Sequence, residues 1–491
     1  MSRGGETVAG QARHAVRGAA WLLGGQATVM LTQLFYAAFT GRLVSPALFG
    51  AYAVAVSTAP LVLMLATAGI GSAAARAQEL SEAQVRALAT VSLVLGVLAA
   101  GIVWLIAIPW SLLWGNPEAV DAIRWSALGI FPAPFLGLLA GLSRRSGRFR
   151  QLSMASTGGA IVGMMIGAAF VWYFRSAASL VTMSIVSTTI QTVLLAGVVG
   201  RRARPGPIRF DVMEHLRFGT KVVLSNGMGY FSVASPQLGL SRGVGAAMLG
   251  AWNRAAVITQ VPLELIQSSL MQVIYPEFRH DIGRTDRSSR LWLDLLALAA
   301  WVMLPLGAVN AAGAYFAVPI VFGPGWQTSA SLAPWVAMAA AANVPVVVLG
   351  AALEATGRFG GVWLHRIGGL VVMASSAAIA LATHSVEPVI AGLFIAVVVS
   401  HGLQLLYASR LAIFPVAILL RVYVKVLLVT AGVGLVTTLL LSAVWTVDGI
   451  ALKILLGMSM VLAVGTMLWL ARLRLPPIRI ARRYGLFKGL G

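Results

Sequence analysis

Hydrophobic positions along this chain fall in long runs that do not alternate with polar ones, and the runs are parted by charged or Gly/Pro-rich breaks. Fourteen such runs are read, at about 20–40, 49–70, 87–110, 122–142, 153–174, 178–200, 218–240, 247–273, 291–312, 328–352, 361–383, 387–409, 423–445 and 449–471. Each is long enough to cross a bilayer as a helix, which needs roughly 20 apolar residues. Helices are expected because no water is present there to satisfy an open backbone. The pattern predicts an all-α polytopic membrane protein of about fourteen transmembrane helices. An even number of spans puts both termini on one side.

Composition agrees, since 59% of the 491 residues are hydrophobic and 10% charged. A soluble domain carries about a quarter of its residues charged. The 36 Lys and Arg against 15 Asp and Glu give a formal charge of +21, which in a soluble protein would suggest nucleic-acid binding. Placed on the spans, 30 of the cations lie on the side of the N-terminus, five on the other side, and Arg254 alone inside a span. Lys and Arg in short loops are retained on the cytoplasmic side, so both termini are expected in the cytoplasm. The charge then reports topology and attraction to anionic lipid, and nucleic-acid binding is not expected. Residues 1–19 are basic and lack an apolar core with a cleavage site, so they read as a retained cytoplasmic segment. The chain has no cysteine.

Compared with itself, the chain is duplicated. GRLVSPALFGAYAVA at 41–55 is answered by SRGVGAAMLGAWNRA at 241–255, and Gly147-Arg148-Phe149 by Gly357-Arg358-Phe359. Six spans separate the copies, so the halves share an orientation and form a parallel repeat. The expected organisation is an N-lobe at 20–200 (helices 1–6), a cytoplasmic linker at 201–217, and a C-lobe at 218–410 (helices 7–12). Helices 13 and 14 follow at 423–471, and a basic cytoplasmic tail at 472–491. Two pseudo-symmetric six-helix lobes around a midplane cavity suit alternating access. Gly159, Gly163 and Gly167, four residues apart, read as a close helix-packing stripe.

Polar groups inside spans are costly and are functional candidates. In span 8, Asn253, Gln260, Glu264 and Gln267 share one helical face, with Arg254 beside them; span 1 carries Gln26, Gln33, Tyr36 and Thr40; span 7 adds Asn226 and span 10 adds Asn343. One interpretation is a hydrated cavity between the lobes in which Arg254 holds phosphate oxygens through its planar fork. The other is hydrogen bonding between helices, with Glu264 pairing Arg254. Arg42 and Arg242, at equivalent outer ends of spans 1 and 7, are assigned either to substrate or to holding backbone carbonyls. Glu354, His365 and Arg366 read as interface markers, and His401 with Gln404 as interhelical donors. No HExxH, P-loop or metal-ligand cluster is present, so neither an enzyme nor a cofactor or metal site is expected. The coupling candidate for H+ or Na+ is Glu264.

The segments AVRGAAWLLGGQ and GRLVSPALFGAYAVA resemble the first two helices of bacterial polysaccharide flippases of the Wzx and colanic-acid-exporter type, in the multidrug/oligosaccharidyl-lipid/polysaccharide exporter superfamily. LGLSRGVGAAMLGAWNRAAVITQVP, VIYPEFR, VFGPGWQTSASLAPW and ALEATGRF resemble later segments of that family, in order, so that the similarity covers about residues 10–410. Where those proteins commonly have an Asp ahead of an LIGR-like run, this chain has Pro236. The resemblance implies translocation of a polyprenyl-diphosphate-linked oligosaccharide from the inner to the outer leaflet of the bacterial cytoplasmic membrane. It also implies membrane lipids as surroundings and, as pathway partners, a glycan polymerase and glycosyltransferases. The alternative is a small-molecule or multidrug cation antiporter of the same superfamily.

Overall fold

The computed structural model describes residues 8–67, 80–207, 219–280 and 285–446. They form helices α1 (Val8–Leu43), α2 (Pro46–Thr67), α3 (Glu82–Leu113), α4 (Val120–Ile130), α5 (Ala133–Arg145), α6 (Phe149–Phe174) and α7 (Ala177–Val199). After these come α8 (Gly219–Gly239), α9 (Ala246–His280), α10 (Thr285–Phe322), α11 (Gln327–Ala355), α12 (Phe359–Thr383), α13 (Glu387–Arg410) and α14 (Val416–Trp445). The first thirteen expected spans each coincide with one of these helices or, for the fourth, with the pair α4 and α5. That span is broken at Phe131-Pro132, because proline has no N–H to continue the ladder and its ring crowds the preceding turn. The fourteenth span, at 449–471, lies outside the described residues. Among the described residues ten helical stretches are long and apolar enough to cross a membrane.

Helix ends are set locally. Ser81 opens α3 with a capping box: its Oγ accepts from the Gln84 N–H at 3.2 Å, and Gln84 Oε1 accepts from the Ser81 N–H at 3.0 Å. Where α5 ends, Arg148 N–H reaches Ser143 O at 2.9 Å and Gly147 N–H reaches Arg144 O at 3.1 Å. The identical pair of bonds closes α11, from Arg358 to Leu353 O at 2.8 Å and from Gly357 to Glu354 O at 3.0 Å. These are Schellman closures. They place Gly147 and Gly357 at φ 68° and 74°, a region that a side chain disfavours. The duplication read at an offset of 210 therefore recurs as backbone geometry.

The described residues fall into two compact units. One comprises those up to residue 253 with 381–384, the other those from 254 to 380 and from 385 to 446. This division by packing differs from the division into lobes expected from the sequence, because it cuts α9 after its first two turns. The reason lies in the first unit, where Gly50 and Gly250 face one another across α2 and α9. A Cβ on Gly50 would stand 1.9 Å from the Ala246 carbonyl oxygen, and one on Gly250 1.9 Å from that of Pro46. Both residue pairs are related by the 200-residue offset of the duplication. Leu249 completes this junction by joining the buried cluster of Val54, Val103, Trp114 and Ile123.

In the same unit, α6 lies against α7 along Gly159, Gly163 and Gly167. A Cβ at Gly163 would come within 2.6 Å of Met183 O, so the stripe serves close packing. The second unit buries Trp292, Leu296, Met303, Val344, Val348 and Leu353 between α10 and α11. Large apolar side chains cover the outside of both units, with Leu105, Tyr173, Val398 and Leu428 all at least 70% exposed. Apolar surface on that scale needs lipid around it.

Candidate functional site

The polar face of span 8 lies on α9. Asn253, Gln260 and Gln267 are half-buried, Glu264 is exposed, and Arg254 is buried, 4% exposed. The Arg254 guanidinium carbon sits 5.6 Å from the centre of the Phe322 ring, within cation–π range. Glu264 is ten residues further along the same helix, about 15 Å at 1.5 Å per residue, so the two do not form a direct ion pair. The next turn of α9 is tied to α10 by Asn310, whose Nδ2 donates to the Thr259 carbonyl at 2.8 Å. Sequence reasoning missed Asn310, although a single Asn inside an apolar span was a readable signal.

The polar residues of span 1 lie on α1. Tyr36 and Thr40 are buried, and the Thr40 hydroxyl donates back to Tyr36 O at 2.8 Å. The Tyr36 hydroxyl points to the Leu180 carbonyl at 3.5 Å, in a small core with Ala160 and Met164. Gln33 instead lines a cavity of about 540 Å³ together with Arg144, Ser153, Ser156, Thr157 and Gln191, from α5, α6 and α7. Gly25 lets α1 approach: a Cβ there would lie 2.5 Å from Ser153 Oγ. The side chains of Gln26 and Asn226 lie outside the described residues.

Arg42 and Arg242 are both exposed. Arg242 Nη1 donates to Leu112 O at 3.1 Å and to Leu113 O at 3.0 Å. These are the last carbonyls of α3, where a cation meets the negative end of the helix dipole. Pro236 is buried three residues before α8 ends, and Leu240–Val244 continues as a π-type turn.

In the second unit a polar chain crosses α14, α13 and α11. Tyr423 Oη lies 3.0 Å from His401 Nε2, His401 Nδ1 lies 3.3 Å from Gln404 Oε1, and Gln404 Nε2 donates to Val346 O at 3.0 Å. With Tyr423 donating to Nε2, Nδ1 carries the proton for Gln404 and every group is satisfied. His365 Nδ1 contacts Gly361 O at 3.0 Å, and the His365 carbonyl accepts from Ser400 Oγ at 3.2 Å. Asn343 and Glu354 are exposed.

Long apolar helices, polar groups inside them and an outer surface made for lipid define a multi-span α-helical membrane protein. The family described as polysaccharide biosynthesis protein matches residues 40–331, more than half of the chain, and the chain belongs to that family. It is 24% identical over 321 residues to the lipopolysaccharide biosynthesis protein WzxC of Escherichia coli (strain K12), covering 64% of each chain. It is 25% identical over 289 residues to the succinoglycan biosynthesis transport protein ExoT of Rhizobium meliloti (strain 1021), covering 58% of each. The matches thus span somewhat under two thirds of these curated relatives. In fold it is similar to the lipid II flippase MurJ in an inward closed conformation, with a TM-score of 0.69, 11% identity, and coverage of 91% of this chain and 98% of that one. The eukaryotic MATE transporter AtDTX14 is similar at a TM-score of 0.58 and 16% identity, covering 84% of this chain and 99% of that one.

Proposed function

We propose that the protein is a flippase that moves a polyprenyl-diphosphate-linked oligosaccharide from the inner to the outer leaflet of the bacterial cytoplasmic membrane. The observation that carries this reading is the family match over residues 40–331, joined to a fold similar to that of a flippase along nearly the whole chain. Such a carrier needs a wet, sugar-tolerant path, a cation for the diphosphate and room for the prenyl chain. The six-helix repeats at 20–200 and 218–410 act as the two lobes of an alternating-access cycle, with both termini in the cytoplasm. Arg254, packed on Phe322 in this conformation, supplies charge to the diphosphate at another stage of the cycle. Glu264 is the group for H+ or Na+ coupling, no bond-making chemistry is assigned to the protein, and a glycan polymerase and glycosyltransferases act beside it.

The similarity to AtDTX14 supports a second reading, a multidrug cation antiporter. Proteoliposomes separate the two. The flippase reading expects a fluorescent prenyl-diphosphate oligosaccharide to reach the opposite leaflet only in vesicles that hold the protein. Movement of a cationic dye without movement of the lipid-linked glycan would refute it.

A further inference from the structure

The cavity among α1, α5, α6 and α7 has a lining suited to an anion. Arg144 contributes a guanidinium, Ser153, Ser156 and Thr157 contribute hydroxyls, Gln33 and Gln191 contribute amides, and no carboxylate lines it among the described residues. Gln191 spends one amide proton on Ser187 Oγ at 3.0 Å, which leaves its second N–H to donate. The Arg144 guanidinium makes no hydrogen bond or ion pair among the described residues. Arg144 is exposed at the end of α5, and an oxyanion supplies a counter-charge and acceptors for the donors around it.

The duplication shows that this polar set is particular to the first copy. The closing turn of α5 recurs bond for bond at the end of α11, yet the counterpart of Arg144 in that turn is Glu354. Past the shared Gly-Arg-Phe run, Ser153, Ser156 and Thr157 are answered by Trp363, Arg366 and Ile367. The repeat thus keeps the backbone while its second copy puts Glu354 in the closing turn, moves a cation to Arg366 and removes the three hydroxyls. The shared closing turn therefore does not by itself require the polar set of the first copy.

We propose that this cavity is a binding site for a phosphoryl oxyanion, with the Arg144 fork as its anchor and the Ser156 and Thr157 hydroxyls as further donors. It deepens the flippase reading, on which the identity of the natural ligand rests, while binding itself is measured without transport. The site lies beside the basic run Arg144–Arg150, on the side that holds most of the cations. That is where a phosphorylated headgroup in the same leaflet would enter.

The test is a thermal-shift titration of the purified full chain in detergent at fixed ionic strength. One arm uses inorganic diphosphate, the other dioctanoyl phosphatidic acid. Saturable stabilisation is expected. Arg144→Gln should raise the apparent Kd roughly tenfold or more, the loss typical of a charge-assisted hydrogen bond, with Arg144→Lys intermediate. Gly137 also lines the cavity, and a Cβ there meets nothing within 4 Å, so Gly137→Leu should fill the space and abolish binding without removing charge. The two variants act by separate routes, so misfolding of one leaves the other decisive. A response to phosphatidic acid alone assigns a lipid headgroup, and a response to both probes assigns the phosphoryl group itself. No saturable stabilisation by either probe, or equal titration of wild type and both variants, overturns the site. That failure is distinct from failure of the flippase reading, which a wild-type chain inactive toward lipid-linked glycan would sink with anion binding intact.

Discussion

Adding one methyl group at Gly50 or at Gly250 sets two backbones against each other. A Cβ at either position stands 1.9 Å from a carbonyl oxygen of the facing helix, Ala246 O or Pro46 O. Ordinary carbon–oxygen contacts lie near 3.3 Å, so the helices must part by more than an ångström, and no side chain can turn aside to absorb it. Overpacking costs about 1–3 kcal/mol, and a backbone clash belongs at the upper end. Gly→Ala in a helix returns only about 0.5–1 kcal/mol, which leaves each single substitution destabilising by about 2 kcal/mol. Gly101, with nothing within 4 Å of its added Cβ, supplies the control: Gly101→Ala should stabilise by that same 0.5–1 kcal/mol. The two junction sites share one gap. Once the first methyl has parted the helices, the second has room, and the double variant should fall short of the summed single effects by about 1–2 kcal/mol. The assay is reversible unfolding of the purified protein in detergent, or its inactivation half-life where unfolding is irreversible. Gly50→Ala as stable as Gly101→Ala, or strict additivity in the double variant, would refute the reciprocal contact.

The cysteine-free chain allows single-Cys labelling. Cys at exposed Ser146 or Arg204 should react from the cytoplasm, and Cys at exposed Glu118 or Gln327 from outside; outside-only labelling at 146 would invert the topology. Asn116, near Glu118, is only 3% exposed and does not serve as a probe site. Arg254→Ala should abolish glycan export and Arg254→Lys retain part, because charge survives without the bidentate fork; normal export by stable Arg254→Ala would leave this residue a structural role over Phe322. Glu264→Gln should remove any dependence of proteoliposome transport on an imposed ion gradient while slow equilibration persists, and an unchanged gradient response would end its coupling role. Tyr423→Phe leaves His401 Nε2 without its donor inside the protein, at a cost of about 1–3 kcal/mol, whereas His401→Leu in the same background should cost little more; a near-neutral Tyr423→Phe would show that the polar chain has another donor.

The fold was legible because the membrane imposes a length on every crossing, and apolar runs of that length are visible without any partner. What escaped was set by contacts or by one residue. Pro132 splits the fourth span into α4 and α5. Helices start before the apolar run, as α10 does at Thr285 against an expected 291, because charged first turns lie outside the hydrocarbon and periodicity does not mark them. The site was legible as faces, not as pairings. Periodicity aligned Asn253, Gln260, Glu264 and Gln267, yet the partner that holds Arg254 is Phe322, far along the chain, and nothing local announces it. The same holds for Tyr423 on His401 and for Asn310 on Thr259.

The duplication sharpens the distinction between scaffold and function. Positions that recur at the offsets of 200 and 210 are largely those where backbone geometry leaves little choice. Gly50 and Gly250 admit no Cβ, and Gly147 and Gly357 close their helices at positive φ. Arg242 fits the same class. It recurs from Arg42 and spends two hydrogen bonds on the end of α3, so the argument for a substrate role at this position weakens as the argument for a helix cap gains. A residue that contacts cargo faces no such constraint to match its copy, because one substrate does not present the same group to both lobes. Arg254 occurs where the first copy has Val54, and Gln33 where the second has Val233. The polar groups that break the repeat are therefore better placed to act on a ligand than those that keep it. This criterion favours Arg254 over Arg42 and Arg242, and it needs no knowledge of what the ligand is.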